Sequence, residues 1–254
     1  MKKFVLFSLL ILYLPLASNA QIVDIESKRG NLVDTSGLFG FTDLSFNLVS
    51  NTRQIISVKG AVRLEWIQNK YKILSLSNYN LIRVNDERFV NNAFQHLRYT
   101  RKLGKHLAWE SFGQLQENEQ IRIQLRGLLG TGPRFQLFRK KKQQIYLGVM
   151  YMYEYNEISD TTFIQRDHRL STYLSLVLQP SSNFSISSTS YVQPEIVEPG
   201  DIRLSSTNAF RFKITNQLSF QVTFSITYDS QLSKEAEGVP STNYQLLNGL
   251  RWDF

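Results

Sequence analysis

Several features common in folded proteins are missing from this sequence, and each absence removes a class of protein. The chain has no cysteine, which excludes disulfides, thiolate metal sites, cysteine nucleophiles and a cysteine-linked lipid anchor. Beyond the first twenty residues, no apolar run approaches the roughly 20 residues that a membrane-spanning helix needs. The mean hydropathy of −0.24 agrees, so a polytopic helical membrane protein is excluded. The 254 residues, 42% hydrophobic and 20% charged, suit one or two folded domains.

The first segment has the layout of a secretory signal peptide. Two lysines precede an apolar run at residues 4–17, and small residues lead to a cleavage site after Ala20. The run is too short to cross a membrane, and it lacks the polar face of a retained amphipathic anchor, which is the alternative. We therefore expect residues 1–20 to be a signal peptide. Residues 21–34 then form a periplasmic N-terminal segment, either a disordered leader or a stretch tucked into the fold that follows.

In the rest of the chain, hydrophobic and polar residues alternate. In residues 56–66 and 218–228, every second residue is apolar or glycine, and most of those between are polar. This period of two is typical of β-strands with one apolar and one polar face. Most of the strands exceed the usual length of about 5–6 residues and suit the roughly 9–11 tilted residues that span a bilayer. About twelve strands are predicted, near residues 36–49, 53–67, 70–82, 88–101, 106–117, 120–138, 143–156, 168–179, 182–193, 202–214, 217–229 and 242–254.

The connections between these strands differ in length in a regular way. Those after odd-numbered strands include three long ones, at residues 156–167, 194–201 and 230–241, whereas those after even-numbered strands are short, as at residues 68–69. Bacterial outer-membrane barrels have short turns in the periplasm and long loops outside. The sequence therefore predicts an all-β fold over residues 35–254: a single antiparallel transmembrane β-barrel of about twelve strands in the bacterial outer membrane.

Aromatic side chains are expected to form two girdles where such a barrel meets the lipid headgroups. On the lipid-facing phase of the strands, tryptophans fall near the periplasmic rim and tyrosines near the outer rim. The last strand alternates down to a terminal phenylalanine, which resembles the signal that the barrel-assembly machinery reads. We expect that machinery and outer-membrane lipid to be partners, and the oligomeric state is left open. The predicted girdle residues are Trp66, Trp109, Tyr151, Tyr153, Tyr155, Trp252 and Phe254.

One stretch of the chain resembles a known family. Residues 91–119 read NNAFQHLRYTRKLGKHLAWESFGQLQENE, and residues 121–138 read IRIQLRGLLGTGPRFQLF. The phrases HLRY, ESFGQ and LRGLLGTGPR above all are similar to the YdiY-like family of salt-induced outer-membrane proteins, which has a domain of unknown function. The resemblance is densest over residues 90–138 and extends across residues 35–254. It implies an outer-membrane barrel and brings no catalytic or binding residues with it.

The polar phase of the strands is expected to line the lumen and to hold more cations than anions. Along residues 121–129 the apolar phase is unbroken, so Arg122, Gln124 and Arg126 are placed inside. The opposite phase would put charge into hydrocarbon, at a cost of about 2–4 kcal/mol at the midplane. The candidates for lining the lumen are Arg63, Glu65, Glu110, Gln114, Arg122, Arg126, Arg134, Glu154, Arg203, Arg211 and Lys213.

Two functions are compatible with such a lumen. The first is a narrow passive pore for small, weakly anionic solutes, because a ring of arginine and lysine favours anions. The second is a structural or surface-interaction protein without transport, whose arginines pair with glutamates and glutamines and plug the barrel. The sequence leaves both interpretations open.

Catalysis and nucleic-acid binding are the functions that the sequence favours least. No serine has a spacing that places it beside His96, His106 or His168 on an adjacent strand, and no His/Glu cluster has metal-ligand spacing. We therefore expect no enzyme, no metal and no cofactor. The basic run at residues 139–142 lies in a predicted periplasmic turn. Attraction to anionic headgroups, or plain solvation, explains it better than nucleic acid does, so we expect no nucleic-acid partner.

Overall fold

The structure is a computed structural model, and it describes residues 36–50, 54–84, 87–119, 122–140, 142–159, 164–215, 218–231 and 240–252. The predicted signal peptide at residues 1–20, the segment at residues 21–34 and Phe254 lie outside the described residues. The described part consists of β1 (Gly37–Ser50), β2 (Gln54–Gln68), β3 (Tyr71–Val84), β4 (Glu87–Lys102), β5 (Leu107–Asn118), β6 (Ile123–Lys140), β7 (Gln143–Ile158), β8 (Ile164–Leu178), β9 (Phe184–Pro194), β10 (Ile202–Lys213), β11 (Leu218–Asp229) and β12 (Thr242–Trp252). No helix in these ranges is both long enough and apolar enough to cross a membrane.

All twelve strands lie in one sheet, in chain order, and each pairs with its sequence neighbours in the antiparallel direction. Such an order is expected when consecutive strands are joined directly, because an antiparallel pair needs only a tight turn. Even-numbered strands end at short turns, which define the short-turn end of the sheet; odd-numbered strands end at the opposite, long-loop end. The prediction of an all-β fold with twelve antiparallel strands is confirmed.

The sheet curls into a barrel-like shape with a concave inner face. The hydroxyl of Tyr173 on β8 donates a hydrogen bond of 3.0 Å to Oε2 of Glu110 on β5, although two strands separate β5 from β8. Side chains of non-neighbouring strands meet in this way only if the sheet bends around them. Among the residues that the structure describes, no ladder pair joins β1 to β12.

The distribution of apolar and charged side chains over the two faces of the sheet is the reverse of that in a water-soluble protein. Large apolar side chains point outward and are uncovered: Leu97, Leu115 and Leu129 are 53%, 57% and 64% exposed. The concave face holds the buried side chains, which include charged residues and two apolar clusters. Leu74, Leu76 and Phe94 form one of these clusters, and Met150, Tyr173 and Tyr191 form the other.

A β-bulge near the start of β6 changes the phase of that strand. Ile123 pairs with Ile158 and Leu125 pairs with Glu157, so the register skips Gln124. Ile123 is buried on the concave face, whereas Gln124 and Leu125 are both exposed. The unbroken alternation expected along residues 121–129 therefore holds only from Leu125 onward, because a bulge inserts one residue and reverses the side-chain phase before it.

Candidate functional site: the charged interior

In the part of the chain that the structure describes, the concave face carries three buried glutamates, one each on β2, β5 and β7. Glu65, Glu110 and Glu154 are 3%, 0% and 0% exposed. They point inward because each occupies the inner phase of its strand. Removing a carboxylate from water costs several kcal/mol, so such a group needs cations and hydrogen bonds around it. Each of the three has them, and the interior is organised around these groups.

Glu154 contacts three arginines, which come from β6, β8 and β10. Nε of Arg126 lies 3.1 Å from Oε1, and Nε of Arg169 donates a hydrogen bond of 2.8 Å to Oε2. Nη1 of Arg203 contacts both carboxylate oxygens. All three arginines are buried, and Arg169 is 0% exposed. Because β7 and β10 are not neighbours in the sheet, the contact between Glu154 and Arg203 joins strands that no backbone ladder connects.

Three aspartates at the long-loop end complete this cluster. Nη2 of Arg169 lies 2.7 Å from Oδ2 of Asp167 and 2.5 Å from Oδ2 of Asp201. Nε of Arg203 donates a hydrogen bond of 2.6 Å to Oδ2 of Asp229. With Glu154 and Arg126, the cluster contains four acids and three arginines. Its charges therefore nearly cancel, and its guanidinium groups have the fork geometry that suits carboxylates.

Glu110 is the centre of a second cluster, nearer the short-turn end. Nη1 of Arg98 donates a hydrogen bond of 3.1 Å to Oε2, and the hydroxyl of Thr100 donates one of 3.1 Å to Oε1. Nη1 of Arg134 lies 3.7 Å from Oε1. With the hydroxyl of Tyr173, these groups bring β4, β6 and β8 together around one carboxylate on β5.

A smaller cluster and two further cations occupy the same end of the interior. Glu65 is contacted by Arg63 on its own strand and by Lys72 on β3. Nη2 of Arg211 on β10 donates a hydrogen bond of 3.2 Å to Oε1 of Gln221 on β11. Six named cations thus accompany two acids near the short-turn end: Arg63, Lys72, Arg98, Arg134, Arg211 and Lys213 beside Glu65 and Glu110.

The long-loop end of the interior is acidic by comparison. The cluster around Glu154 already has one acid in excess of its arginines. Glu195, which follows β9 at this end, lies near Asp167 and Asp201, and burial together with these two negative charges raises the pKa of its carboxyl group. The interior is therefore polarised along its axis, with cations in excess near the short-turn end and acids in excess near the long-loop end.

Aromatic rings fill the space between the charged clusters. Tyr173 is 1% exposed, and its ring centroid lies 5.5 Å from that of Tyr191. Its partner in the ladder is Gly148, and the ring occupies the place that a side chain at Gly148 would take. Phe112 lies over Gly130 on β6 in the same manner. Glycine at these two positions is what allows the rings to pack against the sheet.

Little empty space is left between β4 and β10. The cavity there has a volume of about 40 Å³, and residues of all seven strands line it, including Arg98, Tyr173 and Arg203. A volume of this size holds a few water molecules at most. In the part of the chain that the structure describes, the interior between these strands is thus packed with side chains.

The structure places most of the predicted lumen residues on the concave face: Arg63, Glu65, Glu110, Gln114, Arg126, Arg134, Glu154, Arg203 and Arg211. Lys213 has the same phase but is exposed at the end of β10. Arg122 does not lie there. It occupies the turn before β6 with an exposed side chain and a φ of 56°, and Gln124 is exposed at the bulge. The predicted inward position of both residues is wrong, because the bulge interrupts the alternation that was extrapolated to them.

Five charged side chains in the two larger clusters were not among the predicted residues: Arg98, Asp167, Arg169, Asp201 and Asp229. Asp167 was missed because β8 begins at Ile164, four residues before its predicted start, whereas Arg169 lay inside the predicted strand and was not assigned to its inner phase. The alternation of Asp167, Arg169 and Ser171 with His168 and Leu170 was a signal that could have found them. Asp201 precedes β10 and had no such signal.

The predicted girdle residues that can be located lie on the outer face. Trp66, Trp109 and Tyr151 are 39%, 43% and 46% exposed, and Tyr153 and Tyr155 are half-buried there. The side chain of Trp252 and the whole of Phe254 lie outside the described residues.

The histidines make contacts that are typical of structural residues. His96 is 0% exposed and stacks with Phe94 and Phe112, and its Nδ1 lies 3.1 Å from Oε1 of Gln114. His168 is on the outer face, with Nδ1 2.5 Å from the hydroxyl of Tyr151. In the described ranges, no group of three or more His, Asp or Glu side chains is arranged to hold a metal ion.

A family model described as "Protein of unknown function, DUF481" matches residues 42–254. The chain belongs to this family. The resemblance found in the sequence is thereby confirmed at the level of a family of unknown function, and the YdiY-like name remains a resemblance. No curated protein matches the chain.

Two solved structures are similar to the chain. One is the porin NanC, with a TM-score of 0.49 and 11% identity, covering 85% of this chain and 98% of that one. The other is a bacterial polysaccharide outer-membrane secretin, with a TM-score of 0.43 and 9% identity, covering 85% of this chain and 91% of that one.

Proposed function

We propose that this chain is an outer-membrane β-barrel protein whose interior is closed by its ion-pair clusters, and that it acts as a structural or surface-interaction protein. The observation that carries the proposal is the contact of buried charges across non-neighbouring strands. Arg203 on β10 contacts Glu154 on β7, and Tyr173 on β8 binds Glu110 on β5. Such contacts fill the concave face between β4 and β10, where an open pore would need water.

The outer face supports the membrane location. Leucines such as Leu97, Leu115 and Leu129 are more than half exposed, which is costly in water and favourable in hydrocarbon. Aromatic side chains lie on the same face, and the long connections are all at one end of the sheet. These features, together with the signal peptide expected at residues 1–20, are typical of outer-membrane barrels.

The pairing of the charges supports a closed interior. A solute passing between β4 and β10 would have to displace Arg169 or Tyr173, which are 0% and 1% exposed. Removing one partner of a buried ion pair costs about 3–5 kcal/mol, so each of these charged groups depends on its partners for its place in the interior. We further propose that the chain has no enzymatic role, since His96 and His168 are engaged in ring stacking and hydrogen bonds.

Planar-bilayer recording on the purified, folded protein tests the proposal. We expect no stable unitary conductance from the wild type, because the interior is occupied. The Tyr173→Ala variant removes the ring that bridges β8 and β5, and it should conduct while keeping the heat-modifiable gel mobility of a folded barrel. Leu174→Ala changes the neighbouring, outward side chain of the same strand and should stay silent. Stable conductance of the wild type would contradict the closed interior.

A second candidate function is the narrow pore for small, weakly anionic solutes. It is favoured by Lys59, which has the inward phase of β2 yet is exposed, and by the excess of cations near the short-turn end. If the wild type conducts, its reversal potential in a salt gradient should show anion preference. The double change of Arg211→Glu and Lys213→Glu should then shift that potential toward cations, whereas Arg83→Glu with Arg166→Glu, at exposed outer positions, should not.

A further inference from the structure

Six exposed cations lie in or beside turns of the short-turn end, and we call this set the basic arc: Lys70, Lys102, Lys105, Arg139, Lys140 and Lys142. They belong to three consecutive turns, those between β2 and β3, β4 and β5, and β6 and β7. The five short turns, residues 68–71, 102–107, 139–143, 179–183 and 214–217, contain no acidic residue. The positive charge of the arc is therefore not neutralised by acids within these turns.

Backbone hydrogen bonds hold these three turns next to one another. The amide of Lys102 donates to the carbonyl of Lys70 at 2.8 Å, which joins the first turn to the end of β4. The amide of Gln136 donates to the carbonyl of His106 at 2.8 Å, which joins the second turn to β6. The backbone of the first two turns is thus joined to the neighbouring strands, which sets where their cations leave the sheet edge.

The other two short turns are neutral. Residues 179–183 read QPSSN and residues 214–217 read ITNQ, without a charged side chain. Among the five short turns, the positive charge is therefore concentrated in three consecutive ones, and Lys213 is an exposed cation beside the fifth. General solubility would not require such a division, because it would be served equally well by charges spread over all five turns.

Aromatic rings lie directly beside the arc on the outer face. Tyr71 and Tyr99 are 39% and 38% exposed, and their ring centroids are 6.2 Å apart. The guanidinium carbon of Arg101 lies 5.9 Å from the ring of Tyr71, and Nζ of Lys140 lies 5.3 Å from the ring of Phe138. Trp109 is the ladder partner of Arg101. Cations directly next to exposed aromatic rings suit a membrane interface, where rings lie among headgroups and cations reach their phosphates.

We propose that the basic arc binds the phosphates of anionic phospholipid headgroups and so makes one side of the rim prefer anionic lipid. The inference rests on the proposed membrane location and adds to it a lipid class and a place on the rim. An acidic soluble partner would also bind the cations of the arc, but its acidic groups would not cover the exposed rings of Tyr71, Tyr99 and Trp109. A basic residue near an anionic surface contributes about 1 kcal/mol, or roughly a fivefold preference for each lysine that contacts a headgroup.

The tryptophans at this rim provide the measurement. The folded full-length protein is reconstituted into phosphatidylcholine vesicles that contain a minority of phosphatidylglycerol, and either lipid carries bromine on its acyl chain as a quencher. We expect brominated phosphatidylglycerol to quench tryptophan emission several-fold more strongly, per bromolipid, than brominated phosphatidylcholine. High salt should reduce this preference, because it screens exposed charges.

Two triple variants, each of which loses three positive charges, distinguish an effect of the arc from an effect of the protein's overall charge. Lys70→Gln with Lys105→Gln and Lys140→Gln removes one cation from each of the three turns and should abolish most of the preference. Arg83→Gln with Arg122→Gln and Arg166→Gln removes three exposed cations toward the long-loop end and should preserve it.

Equal quenching by both lipids, or an equal loss in both variants, would overturn the proposal. Such a result would leave the arc as a solvated edge or a contact for an acidic protein, with the membrane location intact. If neither lipid quenches the tryptophans, the proposed membrane location itself is wrong. The two failures are therefore distinguishable in one experiment.

Discussion

At the scale of single residues, arginine and lysine occupy different positions in the fold. The cations that hold Glu110 and Glu154 are all arginines, Arg98 and Arg203 among them, and they are buried. Lysines dominate the exposed turns of the short-turn end. Guanidinium groups bind carboxylates through two parallel bonds and lose less solvation than ammonium groups, which explains the division.

Glu154 is the residue whose loss should cost most. Glu154→Gln leaves Arg126, Arg169 and Arg203 with one negative charge fewer among them, and we expect it to lower the free energy of unfolding by about 3–5 kcal/mol. The measurement is urea unfolding of the protein in lipid, followed by heat-modifiable gel mobility. Glu157→Gln removes a partly exposed, outward carboxylate from the same strand and should change stability by less than about 1 kcal/mol. Equal losses in the two variants would contradict a central role for Glu154.

At the scale of the strand, β6 shows how one residue determines the orientation of many. Upstream of Arg126 the strand contains an extra residue, Gln124, and this bulge allows Ile123 to be buried while Leu125 faces outward. A second register shift lies between Gln136 and Phe138. Between the two shifts the alternation is regular, as the arginine and leucine positions require.

Deleting Gln124 should therefore be tolerated. The deletion makes Ile123 and Leu125 consecutive, so both keep the faces that they have now, and the rest of β6 is unchanged. The folded, heat-modifiable form should be recovered in nearly wild-type yield. Deleting Leu129, in the regular part of the strand, shifts the register of β6 by one residue. The side chains on one side of the deletion then point to the opposite face of the sheet. That variant should fail to fold; similar yields for both deletions would show that the bulge is not where the phase changes.

At the scale of the whole molecule, the sheet is the reverse of a water-soluble core. Many large apolar side chains are outside, and the buried charged ones are inside, joined across the concave face by Glu110 and Glu154. Such a fold is favourable only if something other than water covers the outer face. A concave face of paired charges and an apolar exterior are therefore parts of one arrangement.

Spin labels on two adjacent leucines test this arrangement. Leu129 is 64% exposed on the outer face, whereas Leu128 lines the interior cavity. In vesicles, a nitroxide at Leu129→Cys should be relaxed strongly by oxygen, which concentrates in hydrocarbon, and weakly by a water-soluble nickel complex. A nitroxide at Leu128→Cys should be poorly accessible to both reagents. The opposite order, or equal oxygen accessibility at the two sites, would contradict the assignment of the faces.

The sequence by itself determined the strands and most of their faces. Side-chain alternation has a period of two that follows directly from backbone geometry, so β7 and β10 could be located and Glu154 and Arg203 placed on the inner phase without coordinates. The difference in connection lengths determined the order of the strands, since short turns join neighbours. The cation-rich turns could also be recognised, because their residues are consecutive in the chain.

Only the tertiary structure decided which charges meet. Arg203 and Glu154 are 49 positions apart in the chain, and Tyr173 and Glu110 are 63 apart, so no local pattern pairs them. The curvature of the sheet brings them together, and curvature depends on packing over all strands. The bulge at Gln124 was likewise decided by packing, because burying Ile123 and Arg126 on the same side outweighs the regular ladder. Local periodicity is a property of the backbone, whereas the pairing of the interior charges is a property of distant side chains that only the folded sheet brings within reach.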